Sequence, residues 1–210
     1  LCEKVGADVA LVSQGMGLDR RIGPLFLRPG LGFGGFCFPK DLEAFYWISK
    51  QKGYDFSLLK AVKEINEFQK TWVMRKFEEH LWNLEGKTVA LLGLTFKPHT
   101  DDMRFAPSID VVRMFSERQV RIRAFDPVAM AHAKNLASMK KVHLCKDPYE
   151  CVRGADAVAV ITEWPQFKDL DLKRINKLMR HPLILDGRNI FDPKKARAAG
   201  FTYCGVGRPA

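Results

Sequence analysis

Short apolar runs alternate with stretches of helical periodicity from residue 86 onward, and no other feature restricts the fold as strongly. The apolar runs predict strands at 89–94, 120–125, 142–144, 157–161 and 183–185. The stretches between them predict helices at 108–117, 128–138, 148–152 and 172–179. Strands that alternate with helices form a doubly wound parallel sheet, whose ligands bind at the carboxyl ends of the strands. We therefore predict an α/β domain of this kind over residues 86–210.

The first part of the chain has the periodicity of helices. Short helices are predicted up to residue 9 and at 12–16, followed by a long loop at 20–40 and a helix at 41–51. From 56 to 84 apolar residues recur at helical spacing, which predicts one amphipathic helix of roughly 40 Å. Such a helix connects two domains, packs on a second subunit or fills the core of one domain. The periodicity alone does not distinguish these three arrangements. We predict a helical domain over residues 1–85 that includes this helix.

The bulk composition is that of a soluble globular protein with one or two domains. Of its 210 residues, 47% are hydrophobic and 28% are charged. No run of about 18 apolar residues is present to cross a membrane, and the start has no signal-peptide pattern. We therefore expect a cytoplasmic protein without a membrane partner. The five cysteines form no C-x-x-C pair and the histidines have no zinc-ligand spacing, so we expect reduced thiols and no metal.

The net charge of +10 indicates an anionic partner. A basic surface can bind nucleic acid, and basic residues can also form part of a site for a small polyanion such as a nucleotide diphosphate. The lysines and arginines are scattered along the chain, and no nucleic-acid-binding module is recognisable. We therefore expect no nucleic-acid partner.

One thiol stands in a glycine-rich turn with charged residues close behind it. Cys37 follows Gly34 and Gly35, and Lys40 and Asp41 come shortly after. Glycines let a substrate approach the main chain, and a nearby cation and backbone amides stabilise a thiolate. The pattern is typical of a nucleophile, although a small buried cysteine in a tight turn has the same pattern. Asp41 could move a proton or cap the helix predicted to begin there, and the two roles are compatible.

The first turn of the predicted sheet from strand to helix is Gly93-Leu94-Thr95-Phe96-Lys97. This turn lacks the G-x-G-x-x-G pattern that binds the pyrophosphate of a dinucleotide. We therefore expect this sheet not to hold a dinucleotide in the standard way.

Four segments of the chain match motifs of one protein family, in the order of that family. They are Arg20-Arg21-Ile22-Gly23 with 26–35; Cys37-Phe38-Pro39-Lys40-Asp41; Gly93 to Pro98 with Thr100-Asp101-Asp102 and Arg104; and Thr162-Glu163-Trp164 with Asp186-Gly187-Arg188-Asn189. On these residues the chain resembles the central and C-terminal parts of the UDP-glucose/GDP-mannose dehydrogenase family. The resemblance implies a helical central dimerisation domain at 1–85 and a Rossmann-like UDP-sugar-binding domain at 86–210.

The family resemblance also implies a reaction. Such enzymes oxidise the C6 alcohol of UDP-glucose to the acid, UDP-glucuronate, in two hydride transfers to two molecules of NAD. A cysteine suits this chemistry because it adds to the aldehyde as a thiohemiacetal and then carries the acyl group as a thioester. The resemblance further implies that a separate NAD domain is missing from this chain, that the chain alone is inactive, and that the protein is a homodimer or higher homo-oligomer.

The resemblance assigns roles to individual residues. Cys37 corresponds to the nucleophile, and Asp41 to the carboxylate that moves protons and orients water. The residues that correspond to substrate contacts are Arg21, Arg28, Pro29, Gly30, Leu31, Gly32, Phe33, Gly34, Phe96, Lys97 and Arg188. Those that correspond to NAD contacts are Cys37, Phe38, Pro39, Lys40 and Arg104. Arg21 corresponds to an arginine that enters the site of the neighbouring subunit.

The chain departs from the pattern of the family at several positions. Phe36 occupies a position that is usually serine, which predicts a differently shaped nicotinamide face. Arg28 stands where lysine is common. The catalytic lysine and asparagine of the family, and its N-terminal threonine and glutamate, correspond to positions before Leu1. No residue of this chain is a clear replacement for that lysine.

Three other functions remain open on the sequence. The chain could belong to a dehydrogenase of GDP-mannose or another nucleotide sugar, to a non-catalytic module that binds nucleotide sugars or forms oligomers, or to a redox-sensing thiol protein. Phe38 and the segment 162–164 favour UDP-glucose. Cys37 together with Asp41 argues against a non-catalytic module, and the absence of a second cysteine near Cys37 in sequence argues against a redox sensor.

Overall fold

The computed structural model describes residues 1–209, which form a helical N-terminal part followed by a parallel sheet. The helices of the first part are α1 (Cys2–Val5), α2 (Val9–Gly17), α3 (Cys37–Gln51), α4 (Ser57–Lys70) and α5 (Trp72–His80). Among the helices of these residues, none combines the length and the apolar character that a membrane crossing requires.

Six parallel strands form one sheet in the order β3-β2-β1-β4-β5-β6. They are β1 (Thr88–Leu92), β2 (Arg121–Phe125), β3 (Val142–Leu144), β4 (Ala157–Val160), β5 (Leu183–Asp186) and β6 (Thr202–Gly205). The helices between them are α6 (Pro107–Glu117), α7 (Met130–Asn135), α8 (Pro148–Val152), α9 (Leu172–Leu178) and α10 (Pro193–Ala198). The strand order reverses between β1 and β4, where doubly wound sheets bind their ligands. The predicted fold class is confirmed.

The two faces of the sheet each carry an apolar core. Every residue of β1, β4 and β5 is buried, as expected for central strands that are covered on both sides. On one face α5 and α6 pack together, and the rings of Phe77 and Phe115 meet edge to face with centroids 4.9 Å apart. On the other face, Cys151 of α8, Ile175 of α9 and Ala196 of α10 belong to the second core.

The long amphipathic helix predicted at 56–84 is divided in two. Thr71 interrupts it with a ψ of −7°, and α4 and α5 lie on either side. The Thr71 hydroxyl donates to the Phe68 carbonyl at 2.7 Å, a bond by which such side chains distort helices. The prediction of one continuous helix was therefore wrong at this residue, and the helical pattern ends at His80 rather than 84.

The two halves of this pattern differ in burial. α5 buries Trp72, Val73, Met74 and Phe77 in the core of the sheet, whereas α4 buries only Asn66. In residues 1–70, which we call the N-terminal arm, the buried residues are Leu31, Gly35, Ser49 and Asn66. We call residues 72–209 the sheet domain. This division follows the packing, and the domain boundary at 85/86 stays a prediction.

Other elements differ from their predicted bounds. α3 begins at Cys37 rather than at 41, and β6 and α10 were not predicted. The helix predicted at 128–138 is α7 followed by a turn of 3-10 helix at Ala137–Met139. In the first residues the structure has α1 and α2 instead of helices ending at 9 and spanning 12–16.

Candidate functional site

A cleft of about 810 Å³ lies between the carboxyl ends of the central strands and the N-terminal arm. The turns that follow β1, β4 and β5 form one wall, and the loop at 26–34 and α4 form the other. The residues that line it are Phe26, Arg28, Gly30, Gly32, Phe33, Gly34, Phe38, Val62, Ile65, Asn66, Gln69, Phe96, Lys97, Glu163 and Arg188. Eight of the eleven predicted substrate residues therefore line one cavity.

Two amides of α4 hold the loop in place. The Asn66 side chain accepts a hydrogen bond from Phe33 N–H at 2.8 Å and donates to the Phe33 carbonyl at 3.1 Å. One helical turn further on, the Gln69 amide donates to the Gly30 carbonyl at 2.9 Å. A loop that lacks regular structure is thus attached at two main-chain positions to a rigid element.

The glycines of this loop permit close approaches that a side chain would block. A Cβ at Gly30 would collide with the guanidinium of Arg188, and one at Gly32 would lie 2.6 Å from the Asn66 side-chain oxygen. Gly32 also has a φ of 88°, which strains other residues. The loop therefore brings its main chain directly against Arg188.

Arg188 projects into the cleft from the turn after β5 and is paired with Glu163 after β4. Its Nε and Nη2 donate to the two Glu163 carboxylate oxygens at 2.6 and 2.5 Å. Both side chains are about one-fifth exposed. The turn is held by Asp186, which accepts from Arg188 N–H and Phe191 N–H. Burial raises the pKa of Asp186, and these hydrogen bonds oppose that effect.

A buried carboxylate ties the strand ends together. One oxygen of Asp126, after β2, accepts from Leu94 N–H at 2.7 Å and from the Trp164 indole at 3.0 Å. The Thr162 hydroxyl donates to the Thr95 carbonyl at 2.5 Å. The turns after β1 and β4, which contain Lys97 and Glu163, are thereby held at a fixed separation.

Cys37 is exposed at the first residue of α3. Gly34 and Phe38, on either side of it in sequence, both line the cleft, whereas Cys37 is not among the lining residues. Asp41 stands one helical turn after Cys37 and forms an ion pair with Lys40. Because α3 begins at Cys37, Asp41 lies inside the helix and does not cap it. The capping role proposed for Asp41 was therefore wrong.

Phe36 stacks with the cations of this region. The Arg104 guanidinium lies 4.6 Å and the Lys40 ammonium 5.6 Å from the centre of its ring. A hydrogen bond from Arg104 to Asp102 raises the pKa of the guanidinium, and one from Lys40 to Asp41 raises the pKa of the ammonium. A Cys37 thiolate adds to both shifts. Phe36 thus holds two cations beside Cys37.

Several predicted site residues lie outside the 810 Å³ cleft. Pro29 lines an adjoining cleft of about 660 Å³, which shares Arg28, Glu163 and Arg188. Pro39 and Lys40 line a smaller hollow of about 260 Å³. Leu31 is fully buried, so that only its main chain could face a ligand.

Arg21 is 89% exposed, is paired with Asp19 and does not line the cleft. Within this chain it is therefore not brought together with the other predicted substrate residues.

The sequence did not single out Asn66, Gln69, Glu163 or Asp126 as site residues. Asn66 and Gln69 each stand next to an apolar position of a predicted helix whose periodicity continues past them, so the sequence offered no signal for them. Asp126 follows a predicted strand directly, as Glu163 nearly does, and carboxylates at strand ends are candidates in a doubly wound sheet. The contacts that these residues make involve distant segments and could not be inferred from spacing.

The fold also gathers three groups of metal-ligand type that spacing did not reveal. His143, Cys145 and Glu150 bring donor atoms within 4.8 Å of one another near β3, away from the cleft. His143 is exposed and its ring lies 3.8 Å from the Glu150 carboxylate.

The fold and the cleft together define a doubly wound α/β protein with a cleft at the switch point of its sheet, lined by Arg28, Lys97 and Arg188. Two sequence profiles match the chain: the UDP-glucose/GDP-mannose dehydrogenase family central domain over residues 1–68, and the UDP binding domain of that family over residues 90–193. The chain belongs to the UDP-glucose/GDP-mannose dehydrogenase family.

Curated relatives cover the whole chain. It is 46% identical to UDP-glucose 6-dehydrogenase YwqF of Bacillus subtilis and 41% identical to UDP-glucose 6-dehydrogenase TuaD of the same organism, each over 210 residues. All of this chain is aligned in both cases, with 48% of YwqF and 45% of TuaD. The chain thus spans about half the length of the curated relatives it matches.

Solved structures have the same fold. The UDP-glucose dehydrogenase of the archaeon Pyrobaculum islandicum is 37% identical with a TM-score of 0.87, over 99% of this chain and 45% of that one. The UDP-D-ManNAc dehydrogenase of Pyrococcus horikoshii is 28% identical with a TM-score of 0.79, over 99% and 46%.

Proposed function

We propose that this chain is the substrate-binding part of a UDP-glucose 6-dehydrogenase, with Cys37 as its nucleophile. The observation that supports this most directly is the 810 Å³ cleft at the switch point, which combines a glycine loop with three cationic side chains. The exposed Cys37 stands in sequence between Gly34 and Phe38 of its lining. The relatives named UDP-glucose 6-dehydrogenase support this substrate.

The cleft suits a nucleotide diphosphate because of its charge and its main chain. Arg28, Lys97 and Arg188 line it, and Glu163 is the one acidic residue of the lining. Arg188 uses Nε and Nη2 for Glu163, which leaves Nη1 for an anionic group beside Gly30. Arginine forks match phosphate oxygens well, and the glycines allow a ligand to reach the main chain.

Cys37 would make the second oxidation productive. The substrate alcohol loses a hydride and a proton to become an aldehyde. The Cys37 sulfur then bonds to C6 while the carbonyl oxygen takes a proton, which forms a thiohemiacetal. Loss of a second hydride and the hydroxyl proton leaves a thioester. Water breaks the C6–S bond, which restores the thiol and releases UDP-glucuronate. Asp41, one helical turn after Cys37, would orient that water.

NAD supplies the chemistry of hydride acceptance when it is bound. The residues present fit one side of such a cofactor. Lys40 and Arg104 are cations held beside the first turn of α3, where backbone N–H groups lack helical partners, and these features suit a pyrophosphate. The turn after β1 is closed against Thr162 at Gly93, so it offers no room for that group. We propose that the rest of the NAD site lies outside these residues.

The same enzyme would be a dimer or higher homo-oligomer in which a second copy covers the N-terminal arm. Large apolar side chains of α3 and α4 are exposed, among them Phe45, Trp47, Leu58, Ile65 and Phe68. Monomers rarely expose so many neighbouring apolar groups. Arg21, which is exposed in this chain, would then reach the cleft of the second copy.

One experiment tests the proposed activity. The complete protein is incubated with UDP-glucose and NAD, NADH is followed by absorbance, and Cys37 is examined by mass spectrometry for an acyl adduct of the sugar. UDP-D-ManNAc and GDP-mannose serve as competing substrates, because relatives act on such nucleotide sugars. NADH with UDP-glucose and an adduct at Cys37 are expected. A preference for another sugar would replace the substrate, and UDP binding without NADH would leave a non-catalytic module.

A mixing experiment tests the shared site. Arg21→Ala and Arg188→Ala variants are each expected to be weak, and a mixture of the two should recover part of the activity if each cleft takes Arg21 from the other subunit. A monomer by light scattering, or a mixture no better than its components, would refute the shared site.

A further inference from the structure

A basic hollow of about 450 Å³ lies at the amino ends of the strands, on the opposite edge of the sheet from the cleft. Its cationic lining residues are Arg121, Arg123, Lys141, Arg153 and Arg180. His143 also lines it, with its ring 3.8 Å from the Glu150 carboxylate. The lining contains no acidic side chain and no Phe, Tyr or Trp. We call this site the basic hollow.

The topology brings these charges together from distant parts of the sequence. Arg121 and Arg123 alternate with buried Ile122 on β2, so they share one face of the sheet. Arg123 is the direct neighbour of His143 on β3. Arg153 and Arg180 stand in the turns that precede β4 and β5. Charges that are scattered along the chain therefore meet at one edge of the sheet.

Part of this charge has a structural role. Arg123 donates to the Glu150 and Cys151 carbonyls at 2.7 and 3.0 Å, where it complements the C-terminal end of α8. Arg121 donates to the Gly86 carbonyl at 2.5 Å. Arg180 lies 3.5 Å from the carboxylate of Asp156, which is only 2% exposed.

The remaining charge has no partner in the described part of the chain. Lys141 and Arg153 are exposed, and within residues 1–209 neither side chain makes a hydrogen bond or an ion pair. The nearest acidic groups are already engaged: Asp156 accepts from Thr88 N–H at 2.8 Å, and Glu150 from Lys146 N–H at 2.8 Å. The hollow therefore has excess positive charge in a concave site, where a bound anion would relieve the mutual repulsion of its cations.

We propose that the basic hollow binds the diphosphate group of a small anion, at a site separate from the UDP-sugar cleft. Guanidinium and ammonium groups are the usual partners of phosphate oxygens. A volume of about 450 Å³ lies within the range of small-ligand pockets. A single-stranded nucleic acid stacks successive bases on aromatic side chains, and the one ring of this lining is the imidazole of His143.

The hollow and the cleft are far enough apart to be occupied at once. β1 runs its whole length of 5 residues from one to the other, which separates them by roughly 16 Å at about 3.3 Å per residue. A diphosphate in the hollow would therefore not compete with UDP, and the proposal is independent of the reaction proposed above.

Calorimetric titration with inorganic pyrophosphate, in low salt and with UDP at saturation, tests the site. The test variant is Lys141→Ala/Arg153→Ala, because both side chains are exposed and their removal should leave the fold intact. The control is Lys194→Ala/Lys195→Ala on α10, which removes the same charge from exposed positions that do not line the hollow. ATP and a short RNA duplex are titrated in parallel arms.

The test variant should bind pyrophosphate at least about tenfold more weakly than the wild type, because it lacks two side chains that would form charge-assisted hydrogen bonds to the phosphate oxygens. The control should bind as the wild type does. If ATP binds as tightly as pyrophosphate, the diphosphate group that the hollow binds belongs to a nucleotide. If ATP does not bind, the ligand is the free anion. Three results would overturn the proposal. Pyrophosphate does not bind when UDP is present, or both variants lose the same affinity for it, or the test variant loses more affinity for RNA than for pyrophosphate.

Discussion

Similar apolar residues are exposed to solvent in the N-terminal arm and buried in the sheet domain. In α4, Leu58 and Ile65 are each 66% exposed, whereas in α5 Trp72 is 2% and Phe77 0% exposed. These residues belong to one continuous pattern with a single interrupting residue between the two helices. The sheet domain supplies two cores of its own, and the arm has almost none.

The two regions are therefore stabilised in different ways. The sheet domain is held by burial within the chain, which scales with the apolar area removed from water. The arm is joined to it by the burial of Leu31, by the hydrogen bonds of Glu3 and by the ion pair of Lys70 with Asp110. Many of its large apolar side chains are exposed. The candidate cleft lies where the two regions meet, so it takes rigid strand ends from one and an adaptable loop from the other.

The largest effect should come from Cys37→Ala. This variant tests whether the arm supplies the reactive group while the sheet domain binds the nucleotide. If the proposed function holds, turnover of UDP-glucose by the complete protein should fall by roughly 10⁴-fold or more, as for loss of other catalytic nucleophiles, while UDP still raises the melting temperature. NADH formation and thermal unfolding are the measurements, with Cys2→Ala as the control in the same arm. Unchanged turnover would show that Cys37 is a bystander.

Phe77→Ala and Phe68→Ala compare the two regions directly. Phe77 is buried against Phe115, so its truncation should lower the free energy of unfolding by ~3–5 kcal/mol. Phe68 is 59% exposed, and its truncation should change the stability of a monomer by no more than about 0.5 kcal/mol. Urea unfolding measures both. A large loss for Phe68→Ala that depends on protein concentration would mean that another subunit covers the arm.

Arg188→Ala should weaken UDP binding by roughly 10- to 100-fold, because it removes a charged donor and leaves the Glu163 carboxylate in the cleft. The double variant Arg188→Ala/Glu163→Gln separates these two effects, since it lacks the stranded carboxylate. Calorimetry with UDP is the measurement. If Arg28→Ala causes the larger loss, the loop of the arm rather than the strand end carries the anion site.

Asn66→Ala tests how the loop is held within the N-terminal arm, beside the cleft that the two regions share. It removes both hydrogen bonds to Phe33, and a stability loss of about 1–3 kcal/mol is expected because two partly buried hydrogen bonds of roughly 0.5–1.5 kcal/mol each are lost. UDP affinity should fall with it as the loop loosens. Gln69→Ala, which removes one bond to Gly30, is the milder comparison. Equal stability of Asn66→Ala and wild type would mean that the loop is held elsewhere.

The smallest expected effect concerns Glu3, which joins α1 to the sheet domain. It accepts from the Trp72 indole at 2.7 Å and from Gly207 N–H at 2.9 Å, and Lys76 lies 3.4 Å away. Burial opposes its ionisation, but these partners outweigh burial and leave its pKa below the usual value of 4.5.

Because the pKa of Glu3 is lower in the folded state, its stabilising contribution is complete above pH 4.5 and is lost as the pH falls through the folded-state pKa. Urea unfolding of wild type and Glu3→Gln should therefore give a gap at pH 7 that narrows below pH 4.5. A gap that does not depend on pH would assign the effect to packing.

Most of the sheet domain could be predicted from the sequence because its central strands are continuous apolar runs. The five predicted strands all exist, with ends that differ by at most two residues at β1 and by one elsewhere. β6 escaped because Thr202-Tyr203-Cys204-Gly205 is short and contains only two large apolar groups. α3 was predicted to start late because Pro39 follows a glycine-rich loop, yet a proline fits the first turn of a helix, where its missing N–H is not needed.

The candidate site was predictable only in part. The motifs marked Arg188, Lys97 and the glycine loop, and the structure brings these into one cleft. The Asn66 attachments, the Glu163 partner of Arg188 and the Asp126 contacts that hold two turns together depend on residues far apart in the chain. Spacing has no information about such pairs, since the topology decides which loops meet.

The sequence by itself determined the parallel sheet, the helical character of the first part and the family, because these depend on local periodicity and on short motifs. Only the tertiary structure decided which apolar residues are buried, where the scattered charges meet and how the loop is attached. The physical reason is that burial and electrostatic fields are sums over all neighbours in space. Two helices with the same periodicity, α4 and α5, can therefore differ in burial, one largely exposed and the other packed in a core.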